Sequence, residues 1–220
     1  MISVFVLSLL HSGISAAGSE TRGAIGVRIS SMGFGGEIAL PLSSEISARL
    51  GLDLFHYKGS TEIDMINYDI DASLAWLPLL LDYNPGRGAF RLTTGFIVSM
   101  NNVSMESNSD EAIEIGGHTY TPEEFGMLVA DIDCRGVAPY LGIGILKHIP
   151  SDGKVSIAFD IGAMFQHYKL TLTHEGGSIP PLIEEQFMAD LYAESETVVN
   201  DMNRRFGVYP VLKIGISFGI

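Results

Sequence analysis

The chain has 220 residues, a formal net charge of −13 and a mean hydropathy of +0.27, with 46% hydrophobic residues and 25 glycines. Only 13 Lys and Arg stand against 26 Asp and Glu, which excludes a surface built to track phosphates and so a nucleic-acid partner. The strand-like segments contain no run of 18 apolar residues, so a helical membrane span is excluded while a β span is not.

In chain order, "MISVFVLSLLHSGISAA" reads as a secretory signal, an apolar core followed by small residues with Ser15 and Ala17 at −3 and −1 of a cut after Ala17. Residues 18–220 are then expected to form one domain, since barrels commonly exceed 200 residues without splitting. Segments near 23–31 and 35–41 supply two short strands. "GFGGE" at 33–37 lacks the Lys and helix of a phosphate loop and is read as a tight hairpin. In 46–54, Ile46, Ala48, Leu50, Leu52 and Leu54 alternate with Ser47, Arg49, Gly51 and Asp53. In 68–76, Tyr68, Ile70, Ala72, Leu74 and Trp76 oppose Asp69, Asp71, Ser73 and Ala75. The runs 90–100, 137–145, 155–165 and 209–220 repeat the period of two, bringing the strand count to eight.

Connections alternate in length. "PLSSE", "YNPGRG" and "PSDGK" are compact turns. A medium loop is expected from Lys58 to Asn67, and much longer ones follow strands 5 and 7, which places the long loops on one rim. In "IGGHTYTPEEFGML", Thr121, Pro122 and Glu124 form a capping-box signature for a short helix. A second helix over 181–203 carries the stripe Ile183, Phe187, Leu191, Val198 and Met202.

The minority parity decides the solvent. It is mostly Gly, Ala and Ser, with isolated charges at Arg49, Asp53, Asp69, Asp71, Arg91, Asp160 and Lys213. Small residues suit the interior of an eight-stranded barrel, and the charges are expected to pair across it as struts. The apolar parity then faces lipid. Tyr57, Tyr68, Trp76, Tyr83, Phe90 and Tyr209 are placed for interfacial girdles. The expected fold is therefore all-β, an eight-stranded antiparallel transmembrane up-and-down barrel with short helices in the long loops. A soluble lipocalin-like binder would instead have an apolar interior.

The segments "YDIDASLAWLPLLLDYNPGRGAFRLTTGF", "IGGHTYTPEEFGML", "APYLGIGI", "AFDIGAMFQ" and "YPVLKIGISFGI" together resemble a family of small proteobacterial outer-membrane β-barrel proteins, broadly similar to the OmpA- and OmpW-like barrels. The resemblance implies a Gram-negative outer-membrane location and contact with outer-membrane lipid and lipopolysaccharide. It also implies insertion by the outer-membrane assembly machinery through a C-terminal signal, carried here by Tyr209, Leu212, Ile214, Ile216, Phe218 and Ile220. Such signals usually end in an aromatic residue, and this chain ends in Ile220. No enzymatic activity is implied.

The remaining chemistry is sparse. His56, His118, His148, His167 and His174 are the candidates for a lipid-modifying enzyme, but none sits in a nucleophile or base motif. Glu106, Asp110, Glu111 and Glu114 lack the spacing of a cation loop and are read as a solvated acidic loop. Cys134 has no partner for a disulfide or metal site and is read as a packing residue. The expectation is a monomer without cofactor, metal or catalysis, with a structural, surface-interaction or narrow-pore role. The alternatives are an OmpW-like conduit for small hydrophobic compounds and a lipid-modifying barrel.

Overall fold

The computed structural model describes residues 23–63, 66–108, 112–149 and 154–220, so the signal segment, Asp110 and Glu111 fall outside the described residues. The elements are β1 (Ala24–Ser30), β2 (Gly33–Pro41), β3 (Ile46–Ile63), β4 (Ile66–Tyr83), β5 (Phe90–Ser99), β6 (Asn102–Asn108), β7 (Ile113–Ile115) and β8 (His118–Tyr120). Then come α1 (Pro122–Phe125), β9 (Met127–Asp133), β10 (Gly136–His148), β11 (Val155–Phe165), β12 (Lys169–Glu175), α2 (Pro181–Phe206) and β13 (Val208–Gly219).

Eight of these strands close into an antiparallel barrel, ordered β1–β2–β3–β4–β5–β10–β11–β13. β13 completes the ring against β1, with Ile216 opposite Val27. Closure leaves no sheet edge inside the wall, the condition for a sheet to sit in hydrocarbon. The alternation read from the sequence is the alternation of the wall. Val27, Phe34, Leu50, Phe96, Ile143, Phe159 and Ile214 point outward and are exposed, while Arg28, Arg49, Arg91, Asp160 and Lys213 point inward and are buried. Every strand of the ring contributes to this exposed apolar belt, far more apolar surface than a water-soluble monomer shows. No helix among the described residues is long and apolar enough to cross a membrane.

β4 corrects the expected parity. Its apolar even positions face inward, with Trp76 and Leu80 almost fully buried, and Leu79, Leu81 and Tyr83 form the outer face. The reason lies at the long-loop end of the lumen. There Met32, Trp76, Leu80, Ile97, Tyr140, Met164 and Val211 pack into an apolar plug, with Leu74 and Tyr209 against it. Trp76 is therefore a plug residue and not a girdle residue, whereas Tyr83 and Phe90 lie exposed at the short-turn end. Met32 reaches the plug from the two-residue turn between β1 and β2. At Gly33, φ is +111° and a Cβ would collide with the Leu54 carbonyl oxygen, so the turn requires glycine.

Of the medium loop expected over 58–67, the described residues 58–63 and 66–67 are instead strand. β3 and β4 pair from Ile46 opposite Tyr83 to Ile63 opposite Ile66, with a pause in the ladder where Pro78 offers no N–H. Above the barrel this hairpin anchors a second sheet, β3–β4–β6–β9–β12, continuous with the wall. Its pairing puts Asp69, Asp71, Ser104, Glu106 and Asp131 on one face and Ile70, Met105, Ala130 and Leu172 on the other. α2 packs on β12 at the long-loop end of the molecule, burying Phe187 and Leu191 with Ile115, Tyr120 and Phe125. α1 begins with the expected capping box at Thr121 and Glu124. In α2 the buried line runs from Phe187 through Asp190 and Leu191 to Ser195, and Val198 of the expected stripe is exposed.

Candidate functional site

Seven strands send charged side chains into the lumen. Arg28 on β1 donates two hydrogen bonds to Asp53 on β3, both 2.7 Å, and reaches Glu37 on β2 at 2.5 Å. Arg49 on β3 holds Asp82 on β4 through Nε at 2.6 Å and Nη2 at 2.8 Å, with Glu37 and Asp160 each at 3.4 Å. Arg91 on β5 grips Asp160 on β11 at 2.8 and 2.6 Å, and the Thr93 hydroxyl donates to Asp82 at 2.7 Å. Lys213 on β13 lies beside Asp160 in register, its Nζ 5.1 Å from the Tyr140 ring centroid. Among the described residues the lumen thus holds four cationic side chains and four carboxylates, a formally neutral set in which the three arginines are ion-paired and Lys213 Nζ makes no hydrogen bond. Small neighbours make room for these bulky groups, since a Cβ on Gly51 would collide with the Arg28 guanidinium and one on Gly144 with the Asp160 carboxylate.

Of the seven residues assigned to the interior from sequence, Arg49, Asp53, Arg91, Asp160 and Lys213 are brought together here. Asp69 and Asp71 are not. They sit above the barrel on the exposed face of the second sheet, where Asp71 pairs with Lys58 at 2.7 Å. The reading missed Arg28, Glu37 and Asp82. Arg28 and Glu37 occupy the minority parity of alternating runs, so continuing the alternation through "AIGVRIS" and "GGEIALP" finds them, whereas Asp82 lies on the even parity of β4 that the expected alternation turns toward lipid, and the pattern does not find it. In the C-terminal set, Leu212, Ile214, Ile216 and Phe218 face outward, while Tyr209 lies on the opposite parity and donates its hydroxyl proton to the Ser31 carbonyl at 2.7 Å.

A second polar cluster ties the parts of the long-loop module. Asp190 of α2 accepts from the Tyr120 hydroxyl at 2.8 Å and from Gln186 Nε2 at 2.9 Å, with His118 Nδ1 at 2.9 Å. The Tyr120 hydroxyl hydrogen bond, with those of Gln186 and His118, holds the Asp190 carboxyl below its ordinary range. Burial, with the Asp190 charge beside it, pushes the Tyr120 phenol up to about 12. His174 stacks edge-on against Phe187 at 5.3 Å.

Among the described residues the other histidines form no constellation. His56 contacts Ser73 at 3.0 Å and His148 contacts Ser156 at 2.7 Å, but these are two-membered pairs without a carboxylate bonded to the ring, and His167 is exposed. Among the described residues no group of three or more His, Cys, Asp or Glu is arranged to hold a metal. A recess of about 440 Å³ opens between the short turns, lined by Ser43, Ser47, Asn84, Lys147 and His148.

No protein-family model matches this chain, and no curated protein does. Among solved structures, it resembles CarO2 of Acinetobacter baumannii with a TM-score of 0.61 and 16% identity, over 92% of this chain and 100% of that one. It also resembles CarO of the same organism with a TM-score of 0.55 and 18% identity, over 90% and 97% of the two chains. At these identities the likeness is one of fold, and the fold shared across nearly the whole length is the closed eight-stranded antiparallel barrel.

Proposed function

We propose that this chain is an outer-membrane barrel whose wall is an anchor and whose long-loop module is a surface for interaction, rather than a pore. The observation that carries the reading is the filled lumen, with the apolar plug above and the neutral ion-pair network across its middle. A hydrated channel needs a continuous, open polar path, and the apolar plug breaks its polarity while the ion-paired side chains fill its width. The ordered second sheet and α2 then account for the residues that a simple anchor would not need.

The outer-membrane location is supported by the apolar belt around the whole ring and by the likeness to the CarO barrels. Insertion through the outer-membrane assembly machinery fits a terminal strand with Leu212, Ile214, Ile216 and Phe218 on its lipid face. Lipid and lipopolysaccharide are the neighbours this belt requires, and a monomer satisfies the closed ring. A conduit for small hydrophobic compounds would use the ladder pause at Pro78, but Trp76, Leu80 and Ile97 fill the space behind it. A lipid-modifying reaction would need a carboxylate on one of the Ser–His pairs.

The test combines refolding and conductance. Residues 18–220, refolded into micelles, are expected to give a heat-modifiable band on gels and, in planar bilayers, no steps above the lipid baseline. Regular ohmic steps from the folded protein would replace the anchor reading with a pore.

A further inference from the structure

We propose that the open edge of β3 between Phe55 and Ile63 docks an extended cationic polypeptide segment, which adds to the long-loop sheet as one more strand. This rests on the anchor reading, which places that sheet in water. β2 pairs with β3 only as far as Phe34 opposite Leu54, because the β1–β2 turn is two residues long, whereas β3 runs on for nine more residues. Among the described residues nothing pairs with β3 on that side beyond Leu54. Phe55, His56, Tyr57 and Lys58 are all exposed, so both faces of the strand are open there. Alternate residues of such an edge direct N–H and C=O groups at whatever lies alongside. The segment contains no proline, and its one Lys is held toward the sheet by Asp71.

Charge selects the partner. Because the lumen is formally neutral, the excess of acidic over basic side chains among the described residues lies outside it, and the face shared with Lys58 carries Asp69, Asp71, Glu106 and Asp131. Phe55 and Tyr57 lie on the opposite, apolar face. The segment that fits alternates Lys or Arg with aliphatic or aromatic residues, over roughly 30 Å of strand. A second copy in the same membrane does not fit. The two-fold axis relating two antiparallel edge strands is perpendicular to the sheet, hence in the membrane plane, and would invert the partner barrel.

The probe is a fluorescein-labelled nonapeptide of alternating Lys and Val, titrated by anisotropy into the refolded chain in neutral maltoside micelles, with empty micelles subtracted. Saturable binding is expected, weakened about tenfold or more when the peptide amides are N-methylated at unchanged charge, because ladder bonds are then lost. A Glu–Val peptide is expected not to bind. A benzophenone on the peptide is expected to crosslink within 55–63. Equal binding by the N-methylated or Glu peptide, no saturable binding, or crosslinks placed instead on the other open edge, Lys169–Glu175, would overturn the proposal. None of these outcomes alters the conductance of the barrel, so the anchor reading stands or falls separately.

Discussion

Replacing Arg49 with Met tests whether the lumen network holds the barrel together. The substitution keeps an unbranched side chain of similar reach and removes the cation that joins Asp82, Glu37 and Asp160. Asp160 retains both bonds from Arg91 and Glu37 retains Arg28, so the orphan is Asp82. Asp82 keeps the Thr93 hydroxyl at 2.7 Å and Arg91 Nη1 at 3.8 Å. Breaking a buried pair costs about 3–5 kcal/mol, and these remaining partners place this case near the lower end, about 3 kcal/mol. That is roughly a hundredfold in the folding equilibrium. The double variant Arg49→Met/Asp82→Leu removes the orphan and is expected to recover to within about 1 kcal/mol of the parent. Urea unfolding in lipid vesicles measures both, with Trp76, the chain's single tryptophan, reporting from inside the plug. A single variant as stable as the parent, or a double variant no better than the single, would refute the strut argument.

Ile143→Arg puts a charge on the lipid face of β10 and is expected to destabilise the refolded barrel by about 2–4 kcal/mol, whereas Asp71→Asn above the wall should stay within about 1 kcal/mol of the parent. The same vesicle unfolding assay separates them. Asp190, held below the ordinary carboxyl value, contributes its stabilisation above the unfolded value near 4 and loses it as pH falls through the lower folded one. Amide protection factors in β7, β8 and α2, with the intrinsic pH dependence of exchange divided out, should therefore fall below about pH 4 in the parent, while in Asp190→Asn they should be low already at pH 6 and change little between pH 6 and 3. Burial pushes the Cys134 thiol up to about 11, so maleimide labelling at pH 8 should be slow in the folded protein and rapid in urea.

The barrel was legible because lipid and lumen impose opposite demands on successive residues, and a period of two records both. Arg49, Asp53, Arg91, Asp160 and Lys213 announced the lumen because a charge on the small parity has nowhere else to go. Asp69 and Asp71 look identical in sequence, but on β4 the odd parity they occupy faces outward and they lie above the wall, whereas Asp82 sits on the even, inward parity. Trp76 was misplaced for a related reason. The plug makes the inward parity of β4 apolar, and with both parities apolar through "LAWLPLLL" the direction of the face is no longer written in the pattern. The Asp190 cluster joins residues about seventy positions apart, and no local spacing signals it. The one trace is an acid immediately before the buried Leu191.

β3 and β4 pass from wall to outer sheet as single eighteen-residue strands. A partner pulling on the outer sheet therefore does not bend a loop or open a hinge. The load runs along the strands and is shared as shear by many ladder bonds at once, including those inside the barrel, so the grip on the membrane resists as one body. Tension applied at β12 reaches the wall by a different route, through the three residues 166–168 that join it to β11 and through its neighbours in the outer sheet.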